Sequence, residues 1–229
     1  MTDTELPDLP KLSELAVMLS ALSDELEERL ERAINIGIEN VNGEDHLVIA
    51  TLRRALDNIR GIVAMADQKN LFCGMPIVRF QIDTAMTLFG RRLVADVNAY
   101  VLHMMKGQER RKYRDRDGKW MTDGYLHGKL TGEHEHTSEL YSHTSGFVHF
   151  STHHLHRVLD LDHWGRTGEL AFRSHHEIVA GWSQVEIRGA LVGFIFASKI
   201  ILSECELWEE RRWPTREVDP IVQTTRPGI

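Results

Sequence analysis

Residues 74–97, GMPIVRFQIDTAMTLFGRRLVADV, decide the fold. Pro76 suits the first turn of a helix, and no further proline interrupts the run as far as Lys106. Wound at about 100° per residue, Ile82, Met86, Leu88, Phe89, Leu93, Val94 and Val97 point in nearly every direction. A helix that is apolar on most sides is surrounded by other helices. The stretch therefore reads as the central helix of an all-α domain, beginning near residues 74–76 and ending near Lys106.

The flanking sequence supplies helices to surround it. Leu12, Leu15, Leu19, Leu22, Leu26 and Leu30 recur at three- and four-residue spacing, an amphipathic stripe. After the turn dipeptide Asn42-Gly43, Asp45 can cap a second helix that buries Leu47, Leu52, Ala55, Leu56, Ile59 and Val63. Thr122 or Asp123 can cap a short helix reaching Leu130. A further helix is expected over residues 135–159, weakened at Gly146. Ser183-Gln184-Val185-Glu186 is a capping box that opens a long last helix to about Arg212. Gly165, Gly168 and Gly181 punctuate residues 160–181, where a short strand near 170–173 fits. The expected architecture is an antiparallel bundle in one domain, residues 1–213, followed by a Pro-containing tail over 214–229.

Composition sets outer limits. Hydrophobic residues make up 42% of the 229-residue chain and the formal net charge is −7. That mixture supports a sizeable core and excludes a disordered chain. The apolar run over 189–202 is too short to span a membrane, and no signal-peptide pattern stands at the N-terminus. Cys73 and Cys205, both expected in the core, make no disulfide framework. The expectation is a soluble cytoplasmic protein. Residues 71–130 carry 11 basic and 6 acidic side chains, whereas the segments on either side are net acidic. The middle is thus the surface for an anionic partner.

Four constellations could carry chemistry. Arg79 and Asp83 share a helical face, and such a pair either fixes helix register or orients a guanidinium for a phosphate. Eleven of the 13 histidines lie between His127 and His176. On a continuous helix His149, His153 and His156 share one face with Ser142, Ser145 and Asp160, a geometry open both to metal ligation and to simple solvation. No glutamate follows His149 as in the common helical zinc motif. Arg157-x5-His163 has the spacing of the Arg-x4–6-His motif of HEPN ribonucleases, in which Arg holds phosphate and His moves a proton. Lys106, Arg110, Arg111, Lys112, Arg114, Arg116 and Lys119 surround Tyr113 and Trp120, which is either a single-strand-binding recipe or a solvated connector diluted by Glu109, Asp115 and Asp117.

Two stretches carry a family resemblance over roughly residues 70–160. Ile77-Val78-Arg79-Phe80-Gln81-Ile82-Asp83 and Tyr141-x3-Ser145-Gly146-Phe147-Val148-His149-Phe150-Ser151 resemble the DUF5677-like group of bacterial helical proteins of unknown function, which are HEPN-like in build. Asp83 stands where that group more often has Glu, and Thr144 where it has an apolar residue. The resemblance implies a bundle in which Arg79, Asp83, Tyr141, Ser145 and His149 meet. It suggests a ribonuclease or a protein binding RNA or another phosphate-bearing ligand, with Arg79 on the phosphate, His149 as acid–base, and Asp83 and Tyr141 orienting them. Two other functions remain open: a helical enzyme with a metal on His149, His153 and His156, and a non-catalytic homodimer built on the Leu12–Leu30 stripe and the last helix. No cofactor is assigned.

Overall fold

The computed structural model describes residues 9–36, 40–148, 151, 154–155, 158–174, 176–177 and 181–213. The fold is all-α. Its helices are α1 (Leu12–Ile34), α2 (Gly43–Asp67), α3 (Leu71–Gly90), α4 (Val97–Met105), α5 (Asp123–Glu133), α6 (Thr137–Val148), α7 (Leu161–Thr167) and α8 (Gln184–Arg212), with a 3-10 turn at Arg110–Lys112. No described helix is long and apolar enough to cross a membrane.

Helix α3 is the centre of the bundle and packs against α2, α8, α6 and α5. Val78, Ile82, Ala85, Met86, Leu88 and Phe89 are each at most 1% exposed, while Phe80 is left exposed. The leucine stripe of α1 faces inward: Leu15, Leu19, Leu22 and Leu26 lie in the core. Helices joined by short connections, α1–α2 and α2–α3, run antiparallel. Helix α8 instead runs alongside α1 and α3 in the same direction. Gln81 reaches Ser198 and Arg91 reaches Glu204 on one side, while on the other Arg188 bonds Pro10 and Arg29 bonds Glu209.

Polar side chains inside the bundle are satisfied in pairs across helices. The Gln81 amide donates to Ser198 Oγ at 2.8 Å and accepts from Asn58 at 2.8 Å, tying α3 to α8 and α2. Trp208 Nε1 donates to the fully buried Asp45 at 2.9 Å. Such bonds fix helix register, because a slip would leave buried donors unpaired.

Several boundaries differ from the sequence reading. Helix α3 starts at Leu71, where the Asn70 side chain accepts the Cys73 N–H, so Pro76 lies in the second turn. It also ends at Gly90 instead of running on to Lys106. Arg91, Arg92 and Leu93 close the helix with bonds to the carbonyls of Leu88, Phe89 and Gly90. The cause is Arg91, whose side chain is 0% exposed. Its guanidinium binds Glu44 at 2.9 Å, Glu204 Oε2 at 2.5 Å, the Glu204 carbonyl and the Leu88 carbonyl. Arg92 holds the second oxygen of Glu204 at 2.9 Å and reaches Glu133 of α5. Asn42, not Asp45, is the cap of α2, with Asp45 closing the capping box from its third position. The capping box of α8 forms as expected on Ser183 and Glu186. The helix expected over 135–159 ends at Val148, and Asp160 caps α7. In place of a strand near 170–173 there is an isolated bridge between Leu159 and Phe172. Cys205 is buried, with its thiol pushed up to about 12 by burial, whereas Cys73 is exposed and not a core residue.

The buried ionic cluster leads to a first prediction. Arg91→Met strips Glu204, whose side chain is 2% exposed, of its fully buried partner. Breaking a buried pair from one side costs about 3–5 kcal/mol. Thermal denaturation should show a midpoint lower by roughly 10 °C. An unchanged midpoint would mean that Arg92 alone neutralises Glu204.

Candidate functional site

Arg79, Asp83 and Thr87 recur every four residues and form one stripe on α3 facing α5 and α6. Arg79 is 7% exposed, and a guanidinium that deep needs partners. It has two. Nη1 donates to Asp83 Oδ1 in a short bond, and the guanidinium carbon lies over the Tyr141 ring of α6, 3.8 Å from the centroid. That contact is a cation–π interaction in a desolvated setting, where it is strongest. Tyr141 is also stacked by His127 of α5, with ring centroids 4.1 Å apart. Three helices thus contribute one layer: guanidinium, phenol ring, imidazole.

The 3-10 turn completes the site. Arg110 donates to Thr87 Oγ1 at 2.6 Å and pairs with Asp123 at the start of α5. Thr87 in turn donates to the Asp83 carbonyl at 2.7 Å, so its hydroxyl links the two arginines' surroundings. Asp123 and the Asp83 side chain face solvent in part, which leaves the layer accessible from one edge.

The site shifts its own titrations. Burial raises the Asp83 carboxyl, and the nearby Asp123 charge adds to that, together outweighing the pull of Arg79. His127 moves the other way. Burial lowers it, the Arg79 charge adds to the effect, and both outweigh a hydrogen bond to the Thr137 backbone. An acid held up and an imidazole held down are drawn towards each other in pH. Tyr141 is raised by burial and keeps its proton.

Of the residues expected from sequence, Arg79, Asp83 and Tyr141 meet. Ser145 lies one turn beyond Tyr141, but its hydroxyl donates to the Tyr141 carbonyl at 2.6 Å and serves its own helix. Thr144, at a position expected to be apolar, is 0% exposed and bonds the Leu140 carbonyl. His149, His153, His156 and Arg157 lie outside the described residues. The described part of α6 runs to Val148, and Ser151 is non-helical. Among the described residues no three His, Cys, Asp or Glu side chains converge as a metal-ligand set. Arg110, Asp123 and His127 are members that the sequence reading did not assign to this site. The signal was there for two of them: Asp123 and His127 are four apart on a helix capped by Thr122.

A cavity of about 510 Å³ lies on the far side of α6, lined by Leu71, Met75, Leu140, Phe147, Trp182 and Arg173 among others. It is a separate space of mixed apolar and polar lining and does not include the Arg79 layer. Comparison with family models, with curated proteins and with solved structures finds no match for this chain.

Proposed function

We propose that this chain binds and cleaves RNA at the edge where α3, α5 and α6 meet, in keeping with the DUF5677-like, HEPN-like resemblance of its sequence. The observation that carries the reading is the layer of Arg79, Tyr141 and His127, with Asp83 on the guanidinium. A positioned guanidinium stabilises charge developing on a phosphoryl group, and an imidazole of lowered pKa is a base available at mild pH. In this proposal His127 takes the part first assigned to His149. It removes the proton of a ribose 2′-hydroxyl, the 2′-oxygen bonds to the adjacent phosphorus, and the bond from phosphorus to the 5′-oxygen breaks. The leaving oxygen takes a proton from Asp83 in its carboxylic acid form, which burial favours. Arg79 and Arg110 offset the charge gathering on the phosphate oxygens.

The test is cleavage of a labelled single-stranded RNA by the purified protein. The wild type should yield fragments ending in a 2′,3′-cyclic phosphate. His127→Ala and Arg79→Ala should each lose about a hundredfold or more in rate. If the wild type leaves RNA intact and Arg79→Ala binds RNA as the wild type does, the proposal fails.

The pH profile follows from the two shifts. A base must be unprotonated, so the rate rises with pH through the His127 value, which lies below the ordinary 6.5. An acid must be protonated, so the rate falls with pH through the Asp83 value, which lies above the ordinary 3.8. The rate should peak on the acid side of neutrality. His127→Gln should remove the rising limb and Asp83→Asn the falling one. A profile that climbs steadily to pH 9 would contradict the assignment.

A further inference from the structure

The basic run after α4 does not behave as a loose connector. It begins at the site, where Arg110 bonds Thr87 and Asp123. It continues into a tight hairpin whose arms are joined by an antiparallel bridge between Arg114 and Trp120. The hairpin is anchored with unusual thoroughness. Asp115, 7% exposed, accepts the backbone N–H groups of Asp117 at 2.9 Å and Lys119 at 2.7 Å on one oxygen, and the Tyr125 hydroxyl on the other. Gly118 takes φ +76°, which closes the turn. The Arg116 N–H and guanidinium both bond the Leu93 carbonyl, at 3.0 and 3.2 Å.

What this scaffold holds out is an indole. Trp120 is 48% exposed. The Arg114 guanidinium lies 3.7 Å from the ring centroid, backing one side of it. Trp164 and Trp213 are similarly exposed, but neither carries a cation over its ring among the described residues. Arg111 and Lys112, 67% and 66% exposed, stand between the hairpin and Arg110, and a single carboxylate, Glu109, serves both. A rigid exposed aromatic ring flanked by cations is the arrangement that stacks a nucleobase while neighbouring charges meet the phosphates. Rigidity matters because a preformed platform loses little entropy on binding.

We infer that the 114–120 hairpin is a base-stacking platform, on which Trp120 takes an unpaired base of a single-stranded nucleic acid while Arg111, Lys112 and Arg114 engage its phosphates. The inference deepens the proposed RNA reading, on which it rests for the direction of the strand, from the hairpin through Arg110 towards Arg79. Stacking needs no 2′-hydroxyl, so the platform takes DNA and RNA strands alike.

The experiment is a titration of the full chain with oligo(dT), read by fluorescence anisotropy of a labelled strand and by quenching of tryptophan emission. The wild type should bind with an affinity that falls steeply with salt. Trp120→Ala should weaken binding about tenfold or more, and Trp120→Phe should restore most of it, because either aromatic ring offers a stacking face. Trp164→Phe should change nothing. Far-ultraviolet circular dichroism of Trp120→Ala checks that the fold is intact, and the Phe variant keeps the test decisive if it is not. Equal binding by wild type and Trp120→Ala, no binding by the wild type at low salt, or equal affinity for a duplex would each overturn the platform. Because oligo(dT) cannot be cleaved through a 2′-hydroxyl, the two proposals fail separately. Binding lost with Trp120 but no RNA cleavage removes the nuclease and keeps the platform; cleavage without any effect of Trp120 does the reverse.

Discussion

One guanidinium organises this protein. Arg91 has no solvent contact, so its charge must be met wholly from within. Glu44 comes from the start of α2, and Glu204, 113 residues away in sequence, comes from α8. An unpaired charge in that position would cost several kcal/mol, which makes the three-helix convergence obligatory. Arg92 extends the cluster to Glu133, at the end of α5, so a fourth helix is set by the same few atoms. The core around it is ordinary aliphatic packing that could tolerate several helix registers; the ionic cluster selects one.

The functional surface is a consequence of that cluster. Because Arg91 and Arg92 turn inward, α3 stops at Gly90 and the chain leaves as a separate short helix, α4. That redirection brings the 3-10 turn back along α3, where Arg110 meets Thr87. The break after Gly90 also offers the carbonyls of Arg92 and Leu93 to Arg116, and these bonds seat the hairpin. Glu133 fixes the far end of α5, and His127 and Asp123 are then carried against Tyr141 and Arg110. The charge that closes the bundle at one level thus positions the residues one and two turns away.

What could be read in the sequence follows the range of the forces involved. The leucine stripe of α1 and the capping box of α8 are local or periodic features, and each formed where expected; of the apolar surround read for α3, Ile82, Met86, Leu88 and Phe89 lie on it and are buried, and Leu93, Val94 and Val97 fall beyond its end. The Arg79–Asp83 pair was legible for the same reason, being four residues apart on one helix. The break after Gly90 was not. Arginine favours helix, and nothing near Arg91 signals that its side chain answers a glutamate more than a hundred residues later. His127 was hidden by its setting. It stands in a histidine-rich region where no single imidazole is marked, and its place in the site depends on how α5 docks across α3 and α6. His149, His153 and His156, which carry the histidine stripe, lie outside the described residues.

The parallel course of α1 and α8 has a different kind of consequence. Both helices set out from one pole, where Arg188 grips the backbone at Leu9 and Pro10, and both finish at the other, where Arg29 meets Glu209. Twenty-nine helical residues cover about 43 Å. Residue 9 therefore stands at the opposite pole from residue 213. The chain thus enters α1 and leaves α8 at opposite ends of the bundle, with the Arg79 surface and the Trp120 hairpin between them.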